Sequence, residues 1–138
     1  MVYVSITDGL RSDQTAQYFA SMLAKNLSGL PSSPLFGARG GFERNRASVE
    51  AGIEKFHIRM PNTKPWASNI SLSRRTSNNY LVFARHFYKD NYYQILALIS
   101  PNAHQRIDDM LPALIELAEK YFIELSDNEL ANLQHFTC

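Results

Sequence analysis

The sequence predicts an α+β domain in which an antiparallel sheet packs against an N-terminal helix and C-terminal helices. Residues 80–88 and 92–100 are two runs rich in aromatic and β-branched residues, separated by a short polar connection at 89–91, which is typical of a hairpin. Apolar residues at helical spacing precede this hairpin and follow it. We expect a single domain over residues 1–138, a length at which one core buries roughly two thirds of the unfolded surface.

The first element is a strand and the second a helix. Residues 2–6 alternate between apolar and polar side chains and predict a short strand. Ser12 or Asp13 is suited to cap a helix that runs to about Leu27. Gly29 follows at the position where a left-handed residue commonly closes a helix.

The next stretch combines loops with one strand. Residues 28–41 are rich in Pro, Ser and Gly and are interpreted as a loop, in which Phe36 is a packing anchor. Residues 44–52 predict a short helix or turn, 53–60 a strand, and 62–79 an irregular arm. The strand places Phe56, Ile58 and Met60 on one face and Lys55, His57 and Arg59 on the other, which we expect to be open.

The hairpin predicts where its flanking residues lie. Residues 95–99 are apolar on both faces and indicate a central, buried strand, whereas Arg85 and His86 indicate that one face of the first strand is wet. A tight hairpin brings its entry and its exit to the same end. We therefore expect Arg75 and His104 to be neighbours and to form a plausible phosphate site.

Two helices are predicted after the hairpin. Asp108 or Asp109 is suited to cap the first of them, with Pro112 in its first turn, where proline is tolerated. The S-D-N-E sequence at 126–129 is a capping-box pattern that predicts a last helix over 127–135.

Composition limits the function classes. The only cysteine is Cys138, so no internal disulfide is expected, and no apolar run approaches the roughly 20 residues of a membrane span. The start of the chain has no signal-peptide pattern, so we expect a cytoplasmic protein that does not associate with membranes.

The charge of the chain is unevenly distributed. Residues 39–89 hold ten Lys or Arg against three Asp or Glu, a local charge of +7, whereas residues 106–138 hold two against seven, a local charge of −5. Basic residues mixed with aromatics suit RNA, and mutual neutralisation of the two regions is an equally weighted alternative.

The chemistry-bearing residues are mainly cations and imidazoles. The sequence contains neither G-x-x-x-x-G-K-[ST], G-x-G-x-x-G nor G-x-S-x-G, and no Cys pair supports its four His as zinc ligands. No close carboxylate pair stands out in the basic region, so we expect neither a metal nor another cofactor. Arg, His, Lys and Tyr instead suit metal-independent RNA cleavage, in which His transfers protons and Arg binds phosphate.

Several segments between residues 35 and 122 carry a family resemblance. They are LFG at 35–37 with Arg39, HI at 57–58, SRRTSN at 73–78 followed by LVF at 81–83, LALISPNAH at 96–104, and AE at 118–119 with Phe122. In this order and spacing they resemble the YafO family of type II toxins. The R-T-S-N entry to the hairpin and the P-x-x-H exit from it are the specific parts.

This resemblance implies a RelE-like fold, with helices packed on an antiparallel sheet, and a definite activity. YafO-type toxins are ribosome-dependent mRNA endoribonucleases that block translation and are neutralised by a cognate antitoxin. The implied partners are therefore the antitoxin, the translating ribosome and mRNA. The oligomeric state stays open, including a hetero-oligomer with the antitoxin.

The hairpin argument and the resemblance together select the candidate catalytic residues Arg75, His104 and His57. Arg75 would bind the scissile phosphate, His104 would protonate the leaving oxygen, and His57 would act as base or position the 2′-OH. The predicted RNA-binding residues are Lys55, Arg59, Arg74, Tyr80, Arg85 and His86. Arg75 as a ribosomal-RNA anchor and His104 as a helix cap are alternatives.

Two other function classes stay open. One is a non-catalytic RNA- or DNA-binding regulatory module, in which the basic, aromatic sheet face only positions a backbone. The other, weaker one is a partner-binding domain that works through its acidic C-terminal helices.

Overall fold

The computed structural model describes residues 1–31 and 33–138 as a five-stranded sheet with helices on both faces, which confirms the predicted α+β class. The strands and helices, in chain order, are β1 (Tyr3–Ile6), α1 (Gln14–Leu27), β2 (Phe36–Gly41), α2 (Arg46–Glu50), β3 (Ile53–Ile58), β4 (Tyr80–Arg85), β5 (Tyr92–Ile99), α3 (Ala103–Tyr121) and α4 (Asp127–Ala131). The strand order is β1-β5-β4-β3-β2.

The predicted hairpin is present and occupies the middle of the sheet. β4 and β5 pair antiparallel from Tyr80 opposite Ile99 to Arg85 opposite Tyr93. β5 lies between β4 and β1, and helices cover both faces of the sheet, so its apolar run is buried, as predicted, with Leu98 half-buried. β1 runs parallel to β5, however, so the sheet is mixed rather than wholly antiparallel. Nearly ninety residues separate these two strands, and no local pattern indicates their relative direction.

β2 corrects the sequence interpretation of residues 28–41 as a loop. Of this stretch, Ser32 lies outside the described residues, and Phe36–Gly41 is an edge strand antiparallel to β3. The strand is not predicted from the sequence because it contains three glycines, which lower strand propensity. Phe36 is the predicted packing anchor: it is buried, with its ring centroid 4.9 Å from that of Phe56.

α3 begins earlier than predicted. Its first residue is Ala103, and its N-cap is Asn102 in a left-handed conformation with φ of 62°, so neither Asp108 nor Asp109 caps it. Pro112 therefore lies inside the helix rather than in the first turn. The helix continues through this proline with a buried apolar stripe packed against the sheet: Ala103, Ile107, Leu111, Leu114 and Ala118.

Other helix ends agree with the sequence. The Asp13 side chain accepts a 2.9 Å hydrogen bond from the Ala16 N–H, and Gly29 has a φ of 78° just past α1. α4 has the predicted capping box, although it ends at Ala131 instead of near residue 135. Over the described part of the chain no helix is both long and apolar enough to span a membrane.

Two apolar cores lie on opposite faces of the sheet. α1 packs on one face against side chains that include Phe56 and Phe83, and α3 packs on the other against Tyr80 and Val82. The sheet is therefore covered on both sides, and its accessible chemistry is concentrated at its ends.

Candidate functional site

One end of the sheet gathers the hairpin entry, the hairpin exit and the start of α3. His57, at the end of β3, lies opposite Tyr80 at the start of β4, and Tyr80 lies opposite Ile99 at the end of β5. The Ala103 N–H donates to the Asn78 carbonyl at 3.0 Å. The predicted meeting of the hairpin's entry and exit is confirmed.

His57 is a half-buried imidazole held by the chain before β4. Its Nδ1 lies 2.9 Å from both the N–H and the carbonyl oxygen of Ser77, so either neutral tautomer has a partner. Its ring packs edge-on against Tyr80, with centroids 5.1 Å apart and an interplanar angle of 84°. Burial lowers the pKa of His57, the Ser77 carbonyl opposes that shift, and nearby Lys55 and His104 lower the pKa further. The ring is thus poised to be neutral near pH 7.

Lys55 occupies the same face of β3, two residues before His57. Its Nζ lies 4.8 Å from the ring centroid of Phe42 and 4.5 Å from that of Tyr80, so the ammonium group sits between two aromatic rings. Burial lowers the pKa of Lys55, and the charge of Glu43 partly offsets that effect. The expected open row is thus only partly present, because this face of β3 is the one that packs towards α3.

His104 completes the group from the first turn of α3. Its side chain is exposed, and its Nδ1 lies 3.4 Å from the Tyr80 hydroxyl oxygen, a long contact at the limit of a hydrogen bond. The Tyr80 ring is buried; burial raises the pKa of its hydroxyl, and the carboxylate of Asp108 raises it further. Tyr80 therefore keeps its proton at neutral pH.

Lys55, Tyr80 and His104 line an open cleft of about 620 Å³ between the β2–α2 connection and α3. His57 is not among the lining residues, but its ring packs edge-on against Tyr80, which is. Sequence reasoning missed the contributions of Phe42, Glu43 and Arg44 to this cleft, and that of Asp108. The first three directly follow β2, the strand that was interpreted as loop, so their place beside Lys55 was not visible. The apolar spacing of α3 residues was the available signal for Asp108, which lies one turn after His104.

The irregular arm lies beside the outer edge of β2. Arg75 is anchored there: its Nε donates to the Ile70 carbonyl at 2.8 Å, and its carbonyl accepts from the Ala38 N–H at 2.9 Å. Arg74 is exposed next to it. Arg75 and His104 thus have different partners, and the described contacts include no hydrogen bond between them, so their expected pairing gains no direct support.

Arg59 lies where β3 passes into the arm. Its guanidinium carbon is 4.7 Å from the Trp66 ring centroid, and its Nη1 donates to the Lys64 carbonyl at 3.0 Å. The arm therefore presents fixed positive charge along the same end of the sheet as His57.

Arg85 and His86 lie at the opposite end. Five residues separate Arg85 from Tyr80 along β4, a distance of about 17 Å. His86 is 1% exposed and its Nε2 donates to the Leu125 carbonyl at 2.8 Å, so the prediction of a wet, RNA-binding His86 is wrong. The segment after α3 folds back over the hairpin turn and buries the ring. Arg85 is exposed but does not line the cleft.

The side chains of the site indicate whether it can bind a metal or transfer protons. No group of three or more His, Cys, Asp or Glu within residues 1–31 and 33–138 is arranged to hold a metal ion. The cleft offers the His104 imidazole, a lysine ammonium and a tyrosine hydroxyl, and the His57 imidazole packs against that tyrosine. Together they are a set suited to proton transfer beside an anion.

Comparison with known families matches residues 16–124 to the family described as Toxin YafO, type II toxin–antitoxin system. The matched span is more than three quarters of the chain and contains every residue of the cleft. Neither a curated protein nor a solved structure matches the chain.

Proposed function

The chain belongs to the YafO family of type II toxin–antitoxin toxins, and from this premise we propose that it is an endoribonuclease that cleaves messages on the translating ribosome. A toxin of this type has a cognate antitoxin as its partner. The observation that carries the proposed activity is the clustering of His57, Lys55 and His104 around Tyr80. Of these residues, Lys55, Tyr80 and His104 line one cleft.

The proposed reaction is a metal-independent transesterification. A base removes the proton of a ribose 2′-OH, and the 2′-oxygen attacks the adjacent phosphorus. The bond from phosphorus to the 5′-oxygen breaks, and an acid protonates that oxygen. The products are a 2′,3′-cyclic phosphate and a 5′-hydroxyl, with no net proton gained or lost.

His57 is assigned as the base. Its lowered pKa favours the neutral ring that a base requires. When Nδ1 carries the proton it donates to the Ser77 carbonyl, and Nε2 then has a free lone pair. The second Ser77 contact, from its N–H to Nδ1, suits the other tautomer, so His57 keeps a backbone partner in both neutral forms.

His104 is assigned as the acid because its side chain is exposed and the Tyr80 hydroxyl oxygen, 3.4 Å from Nδ1, can accept a hydrogen bond from Nδ1–H of the protonated ring. Lys55 is assigned to the negative charge that develops on the phosphate. Arg75 uses Nε for Ile70, which leaves its terminal amino groups for a phosphate, and Arg59 and Arg74 extend this positive track for flanking nucleotides.

Variants of the two histidines test the proposal. Expressed without antitoxin, the wild-type chain should arrest growth and cleave messages. His57→Ala and His104→Ala should each lower cleavage by about 10²-fold or more while antitoxin binding is retained. Asn128→Ala, an exposed asparagine on α4, is the control and should cleave at the wild-type rate.

The same experiment separates the non-catalytic alternative. A protein that only binds RNA would arrest growth, if at all, without producing new message ends. Wild-type growth arrest with intact messages, or folded histidine variants that cleave normally, would contradict the proposed activity.

A further inference from the structure

We propose that Asn78 is a positioning residue that caps α3 from outside the helix and thereby fixes His104 in the cleft. This inference rests on the proposed function. It concerns a residue that makes no assigned contact with RNA and acts through the helix start that carries the proposed acid.

The first turn of α3 lacks the usual cap. An N-cap side chain commonly accepts a hydrogen bond from the second or third helical N–H. Asn102 occupies the N-cap position with left-handed backbone, and its side chain makes no capping hydrogen bond. The first N–H groups of this 19-residue helix therefore need hydrogen-bond acceptors from another segment of the chain.

Asn78 supplies those bonds from the chain before β4. Its Oδ1 accepts from the His104 N–H at 2.7 Å, its carbonyl accepts from the Ala103 N–H at 3.0 Å, and its Nδ2 donates to Gln105 Oε1 at 2.8 Å. One residue thus contacts three successive residues of the first turn. The shortest of the three bonds goes to the backbone of His104.

Asn78 is itself held in place by its neighbours. The Ser77 hydroxyl donates to the Ile58 carbonyl at 2.7 Å, and the Ser100 hydroxyl donates to Asn79 Oδ1 at 2.6 Å. These bonds tie residues 77–79 to the ends of β3 and β5. The segment is therefore a strap between strands, and its position does not depend on α3.

The strap also touches the other proposed catalytic imidazole. The N–H and the carbonyl of Ser77 both lie within hydrogen-bond distance of His57 Nδ1. The next residue, Asn78, accepts a hydrogen bond from the backbone N–H of His104. Two adjacent residues, Ser77 and Asn78, therefore hold the proposed base and the proposed acid at a fixed distance from each other. The His104 side chain is exposed, and its hydrogen bond within residues 1–31 and 33–138 is the long one to Tyr80, so its backbone anchor is the main constraint on its position.

A double-mutant cycle on ribosome-bound message distinguishes positioning from general structural support. Asn78→Ala should lower the single-turnover cleavage rate by about 10-fold or more, because small misplacements of a reacting group are costly. In the His104→Ala background the same change should lower the rate by less than about 3-fold, because its target is already absent. Asn128→Ala, an exposed asparagine on α4, is the control and should retain the wild-type rate.

Asn78→Asp adds a readout that a purely structural role would not move. Its carboxylate keeps the acceptor for the His104 N–H and suits a helix N-terminus, so most of the activity should return. Recovery of the rate in Asn78→Asp but not in Asn78→Ala would tie the effect to the acceptor oxygen at position 78 rather than to general support of the fold. This variant also keeps the test decisive if circular dichroism shows that Asn78→Ala is unfolded.

The outcomes separate this inference from the proposed function. A slow His104→Ala with a fully active, folded Asn78→Ala overturns the positioning role alone. Equal fold-losses from Asn78→Ala with and without His104, or a folded Asn78→Asp that is as slow as Asn78→Ala, also overturn it. A folded His104→Ala with wild-type rate overturns the acid assignment, and the positioning role with it.

Discussion

Gly37 is the position at which a single added methyl group should separate the arm from the sheet. The arm reaches the outer edge of β2 here, where the Ala38 N–H donates to the Arg75 carbonyl at 2.9 Å. A Cβ on Gly37 would overlap that carbonyl oxygen and lie 2.9 Å from the Trp66 ring and 3.0 Å from the Arg75 Cβ. Backbone and a buried ring cannot move aside cheaply, so Gly37→Ala must push the arm outward.

The magnitude follows from two contributions. Overpacking a filled site costs about 1–3 kcal/mol. Loss of the hydrogen bond between Ala38 and Arg75 adds about 0.5–1.5 kcal/mol. We expect Gly37→Ala to weaken arm docking by about 2–4 kcal/mol. The loss of global stability cannot exceed the docking free energy, because beyond that point the arm detaches while the sheet stays folded.

Gly40→Ala is the matched control, since it lies in the same strand and an added Cβ there meets no atom within 4 Å. Limited trypsin digestion reports docking directly, because the arm carries Lys64, Arg74 and Arg75. Gly37→Ala should be cut faster in the arm, with a lower midpoint in urea, whereas Gly40→Ala should match the wild type. Equal digestion rates and equal midpoints for the two variants would refute the close approach of the arm to β2.

Three further predictions follow from the same contacts. Burial is the main cause of the lowered pKa of His57, and the charge of Lys55 lowers it further, so Lys55→Met should raise that pKa. Because the base must be neutral, the rise in cleavage rate with pH should then move to higher pH. An unmoved midpoint would exclude His57 as the base. His86→Ala should lower the free energy of unfolding by about 2–4 kcal/mol, measured in urea, because it leaves a cavity and removes the acceptor of the Tyr88 and Lys89 N–H groups; cleavage per folded molecule should not change. Arg74→Ala should flatten the log–log salt dependence of ribosome binding by roughly one unit or less, whereas Arg11→Ala, on the 3₁₀ turn before α1, should not alter it. Identical slopes for these two arginine variants would place Arg74 away from RNA.

Elements with strong local patterns are predictable from the sequence. The hairpin strands are rich in aromatic and β-branched residues, and α1 has both its Asp13 cap and its Gly29 terminator. These features depend on residues a few positions apart, so a single sequence is enough to reveal them. The closeness of His104 to the hairpin entry followed from the same local connectivity.

The remaining features depend on partners far along the chain. β2 is a strand because β3 pairs with it, in spite of its glycines. α3 starts at Ala103 because Asn78, some 25 residues earlier, binds its first turn, so its cap could not be found by reading residues just before the helix. His86 is buried by a segment that follows α3, with its hydrogen-bond partner Leu125 nearly forty residues away. In each of these three cases a tertiary contact outweighs the local pattern.

The candidate site shows the same division. His57, Tyr80 and His104 come together because they lie at paired strand ends and at the hairpin exit, which connectivity predicts. Arg75 instead contacts β2 through the hydrogen bond from the Ala38 N–H to its carbonyl, and the sequence did not predict that strand. Lys55 was predicted only as a phosphate contact on an open face, and its place between two aromatic rings depends on Phe42, which follows that same strand.

The most direct test of the proposed activity is an analysis of the ends produced from one message with purified ribosomes and purified toxin. The message is compared with and without its start codon, and with a single 2′-deoxynucleotide at the mapped cleavage position. We predict fragments with 2′,3′-cyclic phosphate and 5′-hydroxyl ends only from the translated, fully ribose message, formed about 10²-fold or more slowly by His104→Ala. Equal cleavage of the untranslated message, or continued cleavage at the 2′-deoxy position, would contradict ribosome-dependent transesterification in this cleft.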